Sequence, residues 1–308
     1  METSIRIAGT EISATQAQWI SENGKTASMF SCSFPTLFDT PSEGDLIELS
    51  VGGQGCFVGY IFSVSENQHE CTIQAYDQLR YFMFKDSYVF SQKTVGDIVE
   101  TIAKDMGLSI GDIYKGSYSM DLVAEDKKLL DVIQKAILME RENTGTELIL
   151  LDDLGEITLT EKEQLVLDVI LSPDSLLERY RYQQSINTDT FNRVKLARKS
   201  KNKGSRIVTI QQQEGKIQEW GTLQYYEKVD EKLTTAQVQA MAQAILSQKA
   251  RPTKQMILNA IGEPLCRAGY TVSVETDAMS GRCCIERAIH TWRGATYRME
   301  LYTALEGE

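Results

Sequence analysis

Apolar and polar residues alternate through most of the first 85 positions, and that period predicts strands rather than helices. SMFSCSF alternates in type, DLIELSV follows a turn region containing Pro41 and Gly44, and CFVGYIFSV and ECTIQAYDQL come next. Several strands divided by Gly and polar turns, with no long helical run, predict a small barrel or sandwich. The pattern changes near Lys93. Thr94-Val-Gly-Asp97 reads as a capping-box variant, Ile98, Ile102 and Met106 fall near helical spacing, and Gly107 stands where a helix would stop. A second helix is expected after Asp126, with Leu129, Leu130, Ile133, Ala136 and Ile137 on one face. ELILLDDLGEITLTE then reads as a hairpin turning at Asp153-Leu154-Gly155.

Strands return from about Ser172, in RYRYQQSI, FNRVKLAR, SRIVTIQQ, KQMILNAI, YTVSVET, CCIERAI and TYRMELYTA. One helix near 234–250 interrupts them. Thr234 or Thr235 caps it, Gln237 fits the capping-box position after Thr234, Val238, Met241 and Ile245 form its stripe, and Pro252 forbids continuation. The expected fold class is α+β, mainly β: two β domains at 1–85 and 171–308 flanking a small α+β domain at 86–170. An internal repeat supports the pairing of the two ends. Gly44-DLIELSV, a Gly-rich turn, CFVGYIFSVS and CTIQAYD stand in the same order and at similar spacing to Gly269-YTVSVET, a turn with Gly281, CCIERAIHTW and YRMELYT.

Composition changes the picture only by exclusion. The 308 residues are enough for two or three domains with their own cores. No stretch approaches the ~18 uninterrupted apolar residues of a membrane helix. The opening METSIRIAGTEIS lacks the basic and apolar regions of a secretory signal, so folding in a cytoplasm is expected. A net charge of −11, from 43 acidic and 32 basic residues, argues against a general nucleic-acid binder and favours basic partner surfaces. The six cysteines include no Cys-x-x-Cys pair and sit mostly in strand-like apolar runs, as reduced core thiols do.

Catalytic chemistry finds little footing. Of the two histidines, His69 lies in the polar turn SENQHE and reads as solvated, while His290 ends an apolar strand and reads as a satisfied core residue. Neither stands near a GxSxG elbow, an HExxH helix or a spaced ligand cluster. Val51-Gly-Gly-Gln-Gly-Cys-Phe-Val-Gly59 lacks the Lys-Ser/Thr of a phosphate loop and reads as a hairpin turn. Asp152, Asp153 and Glu156 flank Gly155 and are expected to face solvent. No catalytic, cofactor or metal residue is assigned. One charge feature stands out: RVKLARKSKNKGSR, from Arg193 to Arg206, holds seven cations and no acid. It reads as an exposed loop joining two strands, with Arg198, Lys199, Lys201 and Lys203 as candidate contacts for an acidic partner. No aromatic residues interleave with these charges, which disfavours nucleic acid.

Taken in order, FVGYIFSVSENQHECTIQAYDQLRYF, SQKTVGDIVETIAKDMGLSIGD, NTDTFNRVKLARK, EWGTLQYYEKVDEKLTTAQVQAMAQAIL, RAGYTVSVETD and IHTWRGATYRMELYT carry a resemblance over nearly the whole chain. The chain resembles the tail hub proteins of contractile phages and phage-derived particles of the PBSX type, the XkdQ/YqbQ family. Such hubs are similar to the base of secretion-system spikes. The resemblance implies two β-barrel tube domains per chain and a homotrimer forming a pseudo-six-fold ring. A hexameric tail tube protein would stack on one side and a trimeric spike or tail-tip protein on the other. Other baseplate and tape-measure components would be neighbours, in the tail baseplate of a particle assembled in the bacterial cytoplasm. The family has no diagnostic site motif, so no interface residue transfers. Two other readings stay open on the residues alone: a nucleic-acid-binding β-barrel using 193–206, and a hydrolase using His290.

Overall fold

β-branched and aromatic residues at alternate positions build the two ends of the chain into strands. The computed structural model describes residues 2–36, 40–187, 189–199, 205–231 and 233–305. The first set of strands is β1 (Thr3–Ile7), β2 (Thr10–Ile12), β3 (Gln16–Glu22), β4 (Met29–Pro35), β5 (Leu46–Val51), β6 (Gln54–Glu66) and β7 (Glu70–Tyr76). A 3-10 turn at Gln78–Met83 leads to β8 (Lys85–Lys93), α1 (Val95–Asp105), β9 (Ile110–Ile113), β10 (Met120–Lys128), α2 (Leu129–Thr144), β11 (Leu148–Asp152) and β12 (Ile157–Glu161). Then come β13 (Val166–Leu171), β14 (Leu177–Ser185), β15 (Arg193–Lys199), β16 (Arg206–Gln212), α3 (Glu214–Trp220), β17 (Gln224–Lys228) and α4 (Thr235–Lys249). The chain ends with β18 (Thr253–Ile261), β19 (Thr271–Glu275), β20 (Ser280–Arg293) and β21 (Thr296–Leu305). The class is α+β, mainly β.

Both capping boxes form. The Asp97 N–H donates to the Thr94 hydroxyl at 3.3 Å while the Asp97 carboxylate accepts from the Thr94 N–H at 3.2 Å. Thr234 and Gln237 repeat the arrangement at α4. The Val51–Gln54 register leaves Gly52 and Gly53 alone in the turn, both at positive φ, so the Gly-rich segment is a two-residue hairpin loop.

The repeat is a duplication of strand pairing. In the first half β4 lies between β3 and β7, and β6 and β5 follow, with β1 beyond β5. In the second half β18 lies between β14 and β21, and β20 and β19 follow, with β13 beyond β19. The last pairing differs in direction, antiparallel for β1 with β5 and parallel for β13 with β19. The detail agrees at atomic level. Gly44 N–H donates to Ile61 O at 2.8 Å and Ile61 N–H to Asp45 O at 3.0 Å; Gly269 N–H donates to Ile285 O at 2.8 Å and Ile285 N–H to Tyr270 O at 2.8 Å. The two glycines have φ of +92° and +91°, a conformation that side chains resist. Each long strand then bulges one residue later, at Phe62 and at Glu286.

Each half has its own core, one around Trp19, Phe30, Ile47 and Ile73, the other around Leu258, Val272, Ile285 and Leu301. β3 pairs with β20, so both belong to one 13-stranded sheet. α1 and α2 pack a third core with Phe82, Leu122 and Ile157. By packing, residues 1–181 and 256–308 form one compact unit and 182–255 a second. The β3–β20 pairing joins the two chain ends within the first unit. β14 and β18 carry the chain into the second unit and back. That unit has the sheet order β16-β15-β17, with Val194 and Leu196 packed against Val238, Ala242 and Leu246 of α4.

Candidate assembly interface

Of the groups able to do chemistry, His290 is wholly buried. Its Nε2 lies 3.0 Å from Cys266 O, which can only accept, so Nε2 carries the proton and Nδ1 accepts from the Tyr297 hydroxyl at 2.9 Å. The ring stacks on Trp19 at 4.9 Å, and burial pushes its pKa down to about 4. Both nitrogens are engaged, so neither is placed to take a proton from a nucleophile. His69 is exposed in its turn. All six cysteines are buried, and burial raises Cys32 and Cys266 to about 12. Among the described residues no group of three His, Cys, Asp or Glu side chains could hold a metal, and no helix is long and apolar enough to cross a membrane.

Asp152 corrects the expectation of a solvated cluster: Asp153 and Glu156 are exposed, but Asp152 is buried. β11 is covered on both faces, which aims Asp152 inward. Its carboxylate accepts from the Gly155 N–H at 2.7 Å and the Gln78 N–H at 3.0 Å. Asp77, also buried, accepts from the Ser28 N–H at 3.0 Å and the Leu79 N–H at 3.1 Å. The two carboxylates thus tie the hairpin turn and the 3-10 turn to the first strand module. Burial raises both above the usual carboxylate range, and the charge of Asp152 raises Asp77 further. A raised folded pKa gives stability that is full in acid and lost as pH rises toward the folded value. Asp77→Asn is therefore expected to lower the thermal midpoint more at pH 5 than at pH 9. Melts at the two pH values check this, and a deficit that grows toward pH 9 would contradict it.

The basic run divides into parts. Arg198 shares the α4 side of β15, where its guanidinium donates to Thr235 Oγ1 at 2.7 Å and to the Leu233 carbonyl. It holds the entry to α4. Lys199 is exposed at the end of β15, and Lys201 and Lys203 lie outside the described residues. The opposite side of the sheet, away from α4, is where the charge collects. Register places Arg193, Lys195 and Lys199 of β15, Arg206 of β16 and Lys228 of β17 on that side. Val208, Ile210 and Tyr226 lie exposed among them. No acidic residue of these three strands shares that side.

The first unit carries a different patch. The Arg80 guanidinium lies 5.3 Å from the Tyr76 ring, 5.6 Å from Phe62 and 5.8 Å from Phe84, and Phe62 meets Tyr76 edge-on at 5.4 Å. Arginine with aromatic rings, half in water, is the composition of interface anchor residues. The sequence reading missed it. Its signal is aromatic residues at the outward positions of YIFSV and AYDQLRYF, where a solvated strand carries polar ones.

The chain also has relatives in sequence and in fold. A family described as YQBQ-like matches residues 17–304. The chain belongs to that family. It is 30% identical over 266 residues to the uncharacterized protein YqbQ of Bacillus subtilis (strain 168), covering 84% of this chain and 81% of YqbQ. It is 27% identical over 266 residues, with the same coverage, to XkdQ of the phage-like element PBSX from the same organism. The fold is similar to the 43 kDa tail protein of prophage MuSo2 from Shewanella oneidensis, with a TM-score of 0.74 at 14% identity over 99% of this chain and 98% of that one.

Proposed function

We propose that the chain is a structural hub subunit at the base of a phage-like tail, three copies forming a ring between a six-fold tube and a three-fold spike. The duplication carries this reading. One chain presents two strand modules with matching pairings and the same Gly44–Ile61 and Gly269–Ile285 hydrogen bonds. Three such chains offer six similar modules in a ring, which is what a joint between six-fold and three-fold partners needs. Kinship with XkdQ, a protein of a phage-like element, and a fold like that of a prophage tail protein support the setting. The partners are then a second and third copy, a tube protein, a spike or tail-tip protein, and other baseplate and tape-measure components. No catalytic role is assigned, since the one buried histidine is fully engaged with Cys266 and Tyr297.

Light scattering on the size-exclusion peak of the purified chain tests the ring. The expected result is three times the chain mass and, by negative stain, rings with a central hole. A monomer or two-fold dimer at every concentration would overturn the proposal.

A further inference from the structure

We infer that the cationic side of the β16-β15-β17 sheet docks onto the outward side of the β8/β10 pair in a second copy of the chain, an inference that rests on the ring reading above. The receiving surface has the complementary pattern. Val89 and Val123 are direct partners across the antiparallel pair and are 78% and 68% exposed, the highest values of any large apolar residues described. Asp121 and Glu125 sit two residues to either side of Val123, on the same side of β10. Asp121 is held in place by the Ser91 hydroxyl and the Gln92 N–H, each at 2.9 Å.

Both surfaces are sheet sides with an apolar centre beside charge: the first carries cations only, while the second carries Asp121 and Glu125 beside Val123 and, at its far end, Lys85, which is paired with Asp126 at 3.3 Å. Apolar burial at the centre and opposite charge at the rim is how stable protein contacts are arranged. Like charge decides the symmetry. The cationic side cannot meet its own copy across a two-fold axis without setting cation against cation. It must meet a different surface on the neighbour, and a contact of that head-to-tail kind generates a ring when its rotation closes. The chain as a whole is net −11 although this side holds five cations, so a second copy supplies the acidic counterpart. A nucleic-acid platform fits less well: Tyr226 is the one aromatic among these exposed residues, and Val208 and Ile210 offer no stacking surface.

The test uses the purified full-length chain in sedimentation equilibrium and light scattering. Arg206→Glu/Lys228→Glu is expected to raise the dissociation constant for self-association by about 100-fold with the thermal midpoint unchanged. Val123→Asp, on the other surface, is expected to act in the same direction. Adding Glu125→Lys to the double variant is expected to recover about tenfold of the lost affinity, because it restores opposite charge across the contact. If the double variant assembles as the wild type does, the contact is wrong and the ring reading stands. If the wild type is monomeric at every concentration, both are wrong. Salt-sensitive binding of a labelled single-stranded 20-mer, lost in the double variant while its mass stays that of the wild type, reassigns this side to nucleic acid.

Discussion

Gly59→Ala is expected to cost ~3 kcal/mol or more, and Gly59→Val to leave little folded protein. A Cβ at Gly59 would lie 2.4 Å from the Tyr76 carbonyl oxygen and 2.6 Å from Cζ of the Phe57 ring. The first of these is backbone, which cannot swing aside as a flexible side chain can. Gly59 faces Ile47 of β5, and its neighbour Tyr60 pairs with Leu46 on one side and Tyr76 on the other. Relief would need β7 to part from β6, and Ile73 and Ala75 of β7 are wholly buried. Gly53→Ala is the control: it sits at φ +80° with nothing within 4 Å, so only backbone strain is added, ~1 kcal/mol. Urea unfolding of the two variants separates close approach from strain. Equal losses would show that the β6–β7 crossing gives way easily.

His290→Ala is expected to cost ~3–5 kcal/mol near neutral pH. It opens a hole beside Trp19 and leaves the Cys266 carbonyl and the Tyr297 hydroxyl without their buried partner. The pH dependence gives a second readout. The folded pKa of His290 is depressed from 6.5 to about 4. The stability it contributes is present above pH ~6.5 and lost as pH falls toward ~4, by ~3 kcal/mol at about 1.4 per unit. The gap between wild type and His290→Ala should therefore narrow steadily between pH 7 and pH 4.5. A constant gap would mean that the ring is protonated inside the fold. Asp77 and Asp152 act in the opposite sense, so the acid-side loss of the wild type is shallower than His290 alone would make it.

Local features were the ones legible in the sequence. Thr94 and Thr234 announce their helices because a capping box needs only residues three apart. The hairpin at Asp153-Leu154-Gly155 and the loop at Gly52-Gly53 are likewise set by neighbours. Gly44 and Gly269 were readable as a matched pair because each opens the same three-strand pattern. The β14–β18 pairing was not readable, since residues 182–255 stand between its strands. Nor was β3–β20, which joins positions nearly the length of the chain apart. Asp152 was misread because β11 is buried on both sides, which removes the alternation that distinguishes inward from outward. The basic run was visible, but its side of the sheet was not. Lys228 comes to that side only through the parallel β15–β17 register, while Arg198, the centre of the run, turns the other way to hold α4.

The duplicated halves differ most at one place. Between β3 and β4 the chain needs only residues 23–28 to turn back, whereas between β14 and β18 it spends the whole of a separate compact unit. The sheet makes a single demand on whatever fills that gap: its two ends must lie about one strand spacing, ~5 Å, apart. Any fold with adjacent termini meets that demand. The position is thus an insertion point: the strands on either side keep their register whatever length of chain is placed between them.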